Sequence, residues 1–440
     1  MKDKLMNGLL RVASALQTNR YMVAIKNSFT ALLPIIIGGA FFMLILNVVL
    51  STTTTGMSLA KVNGFSWLSS LEPMFNAANY ATMQFFAISL VVLISIELAQ
   101  QYDRNETIVP AVALACYISL CLTSTTVTSS TDEIIKVANV LPREFTNAQG
   151  LFMAMITSIA STELYCRLVN GKKFEISMPE SVPSNVTKAF NVLIPSILTI
   201  LAIAGFGQLF EVLTGYTFFN AIAVFIQAPL KGILTGLPGY LFLFFMSTLL
   251  WVMGIHGTQV LKPVYEATML LALAENLDKV LANEAPTNIL NSVFISSFTT
   301  ITGAGITAGL IISILLFSKR EDYRAIAKLS IVPGIFNINE TMTFGLPIVL
   351  NPILAIPFML APIVSATIGY TLTTIGFAIP MSYNIPWTTP ALIGAFIGSG
   401  GHIGTVITQF LAIASSVLVY TPFVLISNKQ KPEDEAAIEG

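Results

Sequence analysis

Apolar runs recur along the whole chain, at residues 29–50, 79–98, 107–124, 150–168, 191–213, 238–256, 288–317, 344–371 and 390–427. A hydrocarbon core of about 30 Å is crossed by about 20 apolar helical residues, so each run predicts a membrane-spanning helix. The last run is long enough for two crossings, or for one crossing and a half-helix. The period-two alternation of an outer-membrane barrel is absent, so the spans read as helices. The first 28 residues are polar to amphipathic, unlike the short apolar core of a secretory peptide.

Composition sharpens this picture. Of 440 residues, 54% are hydrophobic and only 10% charged, against roughly 25% charged in ordinary soluble domains. Mean hydropathy is +0.77. The net charge of -1 offers no basic field for nucleic acid. Cys116, Cys121 and Cys166 lie in apolar stretches without CxxC spacing, which excludes a disulfide framework and a structural zinc site. The chain reads as an all-α polytopic membrane protein.

Lys and Arg in the connecting segments set the expected orientation. Sixteen of the 22 basic residues fall in the N-terminal segment (Lys2, Lys4, Arg11, Arg20, Lys26), at Arg104, at Arg167, Lys172, Lys173 and Lys188, at Lys319, Arg320, Arg324 and Lys328, and at Lys429 and Lys431. Placing all of these in the cytoplasm makes the first four spans alternate correctly and puts both termini inside. Three apolar runs between Lys188 and Lys319 break the alternation, so one of them is not a plain crossing. The stretch after Pro238 is the suspect. It runs through Gly254-Ile-His-Gly257 into Lys262, Pro263, Glu266, Glu275, Asp278 and Lys279, a charge density that does not cross lipid as one helix. A re-entrant hairpin buried in protein resolves the parity.

A second irregular stretch spans residues 331–352, where Pro333, Gly334, Gly345, Pro347 and Pro352 prevent a continuous helix around Glu340. Broken helices with a polar group at the break are where transporters place substrate. By texture, residues 1–190 form regular spans and residues 215–427 are interrupted by glycine and proline. No sequence repeat relates the two parts.

Phe336-Asn-Ile-Asn-Glu-Thr-Met-Thr-Phe-Gly-Leu-Pro-Ile-Val-Leu-Asn-Pro352 resembles the N-I-N-E-P-x-x-F-G-x-P-I-x-x-N-P motif of the C component of the bacterial phosphotransferase system, in its lactose/cellobiose/diacetylchitobiose family. Met253-Gly-Ile-His-Gly257 matches that family's G-x-H-G motif, and Gly150-Leu-Phe-Met-Ala with Ser161-Thr-Glu-Leu164 is similar to its fourth span. The likeness runs from the N-terminal amphipathic helix (Ala24-Ile-Lys-Asn27) to Ser427. It departs at Thr341, where the family has proline, leaving the carboxylate before it in place.

The resemblance implies about ten transmembrane helices plus two re-entrant hairpins. Residues 1–190 would hold the amphipathic helix and a scaffold for homodimerisation, 191–427 the sugar-binding part, and 428–440 a cytoplasmic tail. It implies a permease subunit in the bacterial cell membrane. Such a subunit binds a β-linked disaccharide such as cellobiose, diacetylchitobiose or lactose outside and presents its C6 hydroxyl inside. A separate phosphocysteine B component, charged by an A component, would phosphorylate it. Only 13 residues follow Ser427, so the phosphoryl carriers are expected on other chains. No cofactor or metal is expected.

The residues support this chemistry in their own right. An intramembrane carboxylate costs about 2.5–3.5 kcal/mol on insertion scales and is a functional candidate by default. Glu340 has Asn337 and Asn339 beside it, so three hydrogen-bonding groups cluster at a break. Glu340 is the expected acceptor and general base for the reacting hydroxyl; the alternative is a carboxylate paired to hold a hairpin. His256 is expected at the sugar between Gly254 and Gly257, while His402, in a glycine-rich turn, reads as structural. Trp387, in Tyr383-Asn-Ile-Pro-Trp-Thr-Thr-Pro390, offers a face for a pyranose, with an interfacial belt as its alternative. Trp251 reads as core. Asn147, Gln149 and Arg104 lie near span ends within reach of the outer part of a disaccharide, although solvated loop or positive-inside anchoring accounts for them more simply. Two other classes stay open: an ion-coupled sugar symporter using Glu340 and His256 as a protonation pair, and a lipid-acting membrane enzyme, for which two isolated histidines leave little machinery.

Overall fold

A computed structural model of the chain describes residues 18–53, 58–104, 107–128, 134–171, 190–346 and 352–429, with Ala15, Lys173, Phe174, Ile176, Pro183, Thr187 and Ile348 besides. Lys2, Lys4, Arg11, Lys172, Lys188 and Lys431 of the basic segments, Pro347 and residues 349–351 of the long motif, and the tail beyond Lys429 lie outside the described residues. The principal helices are α1 (Arg20–Ile45), α2 (Phe86–Gln100), α3 (Ile108–Ser119), α4 (Leu151–Asn170), α5 (Leu193–Thr214), α6 (Leu237–Val252), α7 (Gly257–Leu281), α8 (Thr307–Phe317), α9 (Glu321–Ile335), α10 (Glu340–Gly345), α11 (Pro352–Thr374), α12 (Ile393–Gly398) and α13 (Ile403–Ser427). Four helices within the described residues are long and apolar enough to cross a membrane: Arg20–Met43, Leu193–Thr214, Ile353–Thr374 and Ile403–Ser427. The number rises to six if each of two bent helix pairs is one span.

Two compact units emerge. One comprises the described residues of Ser14–Ile36 and Ala78–Pro229. Its centre is α4, whose Leu151, Met153, Ala154, Thr157, Ser158, Ser161, Thr162, Tyr165 and Cys166 are all buried. Small and hydroxyl-bearing residues suit such a helix, because they let neighbours approach and bond back to their own carbonyls: Ser158 Oγ donates to Ala154 O at 2.6 Å. Helices α2 and α3 pack on it through Leu90, Ile94, Leu98, Val112 and Cys116. By contrast α5 leaves Leu201, Phe206, Leu209, Val212 and Leu213 exposed, as a helix facing lipid does. At one end of this unit the basic segments meet. Arg20 and Arg167 both pair with Glu163, at 3.0 and 2.6 Å, and Arg104 donates to Asn170 Oδ1.

This unit also carries a departure from the all-α expectation. The run at 107–124 stops being helical at Ser119, and β1 (Ser124–Thr128) pairs antiparallel with β2 (Ile134–Ala138), Ser124 opposite Ala138 and Thr128 opposite Ile134. The reason is local. Ser124-Thr-Thr-Val-Thr and Ile134-Ile-Lys-Val-Ala are dense in β-branched residues, whose side chains are stiff in a helix and fit a pleated surface.

The other unit comprises the described residues of Ile37–Ala77 and Leu230–Gly440. Its core joins Tyr240, Phe244, Phe294, Phe298, Ile301, Ile306, Leu310, Met342, Phe358 and Tyr420, with α11 and α13 packed side by side and α8 against α13. The suspect stretch after Pro238 is a helical hairpin. Helix α6 ends at Val252, Gly254 turns the chain at φ +82°, and α7 folds back so that the rings of Phe244 and Tyr265 lie 5.6 Å apart. The two helices touch at Gly257, where a Cβ would stand 1.9 Å from the carbonyl oxygen of Ser247.

The run at 288–317 is not one helix. A turn at Ser292–Phe294 leads into a π-helix, Ile295–Thr299, and a loop with Thr302, Gly303, Gly305 and Ile306 all at positive φ precedes α8. Apolarity kept the whole run at membrane depth without dictating its shape, and tertiary bonds hold the loop: Tyr420 Oη donates to Gly305 O at 2.6 Å.

Side-chain amides hold the far end of the hairpin. Asn276, fully buried, donates to Asn288 O and Met381 O and accepts from the N–H groups of Thr287 and Asn288. Asn276→Ala strands buried backbone groups and is expected to cost about 2–5 kcal/mol, read as a clear fall in the thermal unfolding midpoint in detergent; an unchanged midpoint counts against the clamp. Gly257→Ala should be as damaging, since backbone must move to admit its Cβ. Gly232→Ala, with nothing within 4 Å of the new methyl, should leave the midpoint unchanged.

Candidate functional site

His256 occupies the turn between α6 and α7 and caps α7. Its Nδ1 accepts from the backbone N–H of Gln259 at 3.3 Å and lies 3.0 Å from Thr258 Oγ1. An acceptor at Nδ1 carries no proton, so the proton of the neutral ring sits on Nε2, which becomes a donor. The ring lies on the indole of Trp251, with centroids 4.1 Å apart. Trp251 is 5% exposed, and its Nε1–H has no hydrogen-bond partner among the described residues. These groups line a cavity of about 410 Å³ together with Gly254, Thr343, Phe344, Ile348 and Phe358.

Thr343 and Phe344 belong to α10, whose first residue is Glu340. Positions three and four residues apart share a helix face, so Glu340 stands on the side of α10 that meets the His256 cavity. Glu340 is exposed and is not itself a lining residue. The G-x-H-G motif and the long motif are thus brought to one cavity through Thr343 and Phe344.

The two asparagines beside Glu340 do something else. Asn337, at φ +63°, donates from Nδ2 to Trp387 O at 2.6 Å and Thr389 O at 2.9 Å, and accepts from the N–H of Thr302 at 2.7 Å. Asn339 is buried, donates to Ala304 O at 2.7 Å, and lies where a Cβ on Gly303 would fall. Their amides bond backbone on two other segments, which fixes the turn that leads into Glu340. Trp387 is 47% exposed and lines a second cavity of about 220 Å³ with Ser296, Ser297, Asn337, Thr389 and Gln409.

The remaining candidates lie in the other unit. Asn147 is buried, and its Oδ1 accepts from the N–H of Gln149 just before α4. Gln149 O accepts from Gln227 Nε2. Arg104 is held by Asn170 at the opposite end of α4. Twenty helical residues rise about 30 Å, so Arg104 does not join Asn147 and Gln149 at one site, and belongs with the basic end of its unit. His402 caps α13, accepting from Thr405 N, which is a structural role. Trp251 is buried, as a core residue should be, yet it also lines the His256 cavity; its spacing of one turn from His256 was the available signal. Phe344 is the phenylalanine of the long motif, whereas Thr343 falls on one of its variable positions and gave no signal until the fold of α10 placed it.

Comparison with known proteins assigns the family. The model of the phosphotransferase system EIIC family matches residues 26–362, a range that includes both His256 and Glu340. The chain is 30% identical to the oligo-beta-mannoside-specific EIIC component of Bacillus subtilis (strain 168), covering 100% of this chain and 97% of that protein. It is 29% identical to the cellobiose-specific EIIC component of Geobacillus stearothermophilus, covering 98% and 94%. Among solved structures, ChbC, the IIC component of an N,N'-diacetylchitobiose-specific phosphotransferase system, superposes with a TM-score of 0.88 at 30% identity, covering 97% of this chain and 98% of that one. With the family model, near-full-length relatives and a matching helical fold in agreement, this chain belongs to the EIIC family of the phosphotransferase system.

Proposed function

We propose that this chain is the membrane permease subunit of a phosphoenolpyruvate-dependent sugar phosphotransferase system and that it carries a β-linked disaccharide. Relatives named for oligo-beta-mannoside, cellobiose and diacetylchitobiose support that substrate class. The observation that carries the reading is the convergence of His256, Trp251 and the Glu340 helix on one cavity. A neutral imidazole donor, an indole face with an unpartnered N–H, and a nearby carboxylate acceptor match what a pyranose presents: alternating hydroxyls and an apolar C–H face.

In this reading the sugar enters from outside, and His256 Nε2 and Glu340 hold its C6 hydroxyl. On the cytoplasmic side the B component brings a phosphocysteine. The O6 lone pair attacks phosphorus, the S–P bond breaks, and the cysteine leaves as thiolate while Glu340 takes the hydroxyl proton. A positioned base of this kind contributes on the order of 10²–10⁴-fold. Trp387 adds a second stacking face. The protein works as a homodimer in the bacterial cell membrane, with N- and C-termini cytoplasmic. Its N-terminal spans form the scaffold, and its interrupted C-terminal part, with two re-entrant hairpins, does the transport.

Reconstituted vesicles test this. Radiolabelled disaccharide is expected inside as sugar phosphate only when the phosphorylated B component is present. Accumulation of unmodified sugar driven by a proton gradient alone would overturn the phosphotransfer reading. Glu340→Gln should bind sugar within a few-fold of wild type while losing at least 100-fold in phosphorylation rate; equal loss of both, in a protein that melts normally, removes the base role.

A further inference from the structure

The second cavity carries a group that the reading above does not use. The hydroxyls of the Ile295–Thr299 π-helix and its flank are nearly all committed. Ser296 Oγ donates to Val293 O, Thr299 Oγ1 bonds Tyr240 Oη, and Thr300 Oγ1 donates to Ile295 O. The backbone carbonyls that a π-helix leaves free are also served, Ser297 O by Gln409 Nε2 at 2.8 Å and Phe298 O by Ser365 Oγ at 2.5 Å. Ser297 Oγ and, in the turn before the helix, Ser292 Oγ are the exceptions; Ser297 is 1% exposed, and its oxygen has no hydrogen-bond partner among the described residues.

Ser297 is one of the residues that line the same cavity as Trp387. The other side-chain amides of the lining are spent. Asn337 bonds Trp387 O, Thr389 O and Thr302 N, and Gln409 bonds Leu392 N and Ser297 O. Among the described residues no charged side chain lines the space, so it suits a neutral ligand and not an ion. A hydroxyl that both donates and accepts, on a residue sharing a cavity with a half-exposed indole, complements one hydroxyl of a sugar ring laid against that indole. π-Helical turns recur at functional sites, and a buried polar atom left unpaired costs stability unless something pairs with it.

We infer that Ser297 is a specificity-determining residue: its Oγ hydrogen-bonds one hydroxyl of the sugar unit stacked on Trp387. The inference rests on the sugar-permease reading and adds to it a residue that discriminates among disaccharides.

The experiment is titration of purified protein in detergent with the disaccharide that wild type binds, and with its monodeoxy analogues. Ser297→Ala is expected to weaken the parent sugar by about 5- to 50-fold. One deoxy analogue, already weak on wild type, should lose nothing further on the variant. Because the substitution removes an unpaired hydroxyl, the unliganded melting temperature should not fall. Should it fall, Ser297→Cys, close in size and a poor hydrogen-bond partner, is expected to show the same selective loss. Binding within twofold of wild type for every sugar, or an equal loss across all analogues, overturns the inference. So does unchanged binding in Trp387→Ala, which would place the sugar elsewhere while leaving the permease reading intact. Wild-type protein that binds no carbohydrate at all overturns the permease reading, and this inference with it.

Discussion

Every break in a helix inside an apolar protein releases backbone N–H and C=O groups that lipid cannot satisfy. The interrupted unit of this chain is organised around that constraint, and it meets it with side-chain amides. Asn276 and Asn291 both donate to Met381 O. Asn337 and Asn339 tie the turn before α10 to the loops at 302–304 and 387–389. Gln409 serves Ser297 O and Leu392 N. An amide suits this work because it donates and accepts at once and carries no charge to desolvate.

The same bonds decide which groups remain for chemistry. Asn337 and Asn339 are committed to backbone, while Glu340 beside them is exposed. His256 divides its two nitrogens in the same way: Nδ1 caps α7, which places the proton of the neutral ring on Nε2. Strain follows from the arrangement. Ile306 is β-branched and sits at φ +51°, a conformation that costs of order 1–3 kcal/mol and persists only where surroundings over-determine it. Those surroundings include the bond from Tyr420 to the neighbouring Gly305 and the close fit of Gly305 against Phe358. The loop that carries this strain is the one Asn337 and Asn339 grip, so the positions of Glu340 and of the loop are coupled through two side chains.

Regular spans needed less. In the unit built around α4, several polar residues lie at helix ends, as in the meeting of Arg20, Glu163 and Arg167, or bond back within their own helix, as Ser158 does. A helix that satisfies its own backbone can be read from apolarity alone, which is why α4 and α5 fall within two residues or so of the runs at 150–168 and 191–213.

Sequence by itself determined the class of this protein. Apolar runs of spanning length announced a helical membrane protein, and the two distinctive motifs around Glu340 and His256, set in broken apolar chain, announced its family. These properties are local: hydrophobicity, helix-breaking residues and the identity of a side chain are carried by short stretches. Tertiary structure decided the rest. It turned part of the 107–124 run into the start of a β-hairpin and opened 288–317 into a π-helix and a strained loop. It also spent Asn337 and Asn339 on backbone, set Arg104 at the far end of α4 from Asn147, and brought Trp251, Thr343 and Phe344 around His256. The physical reason is that an amide or hydroxyl has the same identity whether it faces a ligand or a neighbouring carbonyl, and only the packing of distant segments chooses between them.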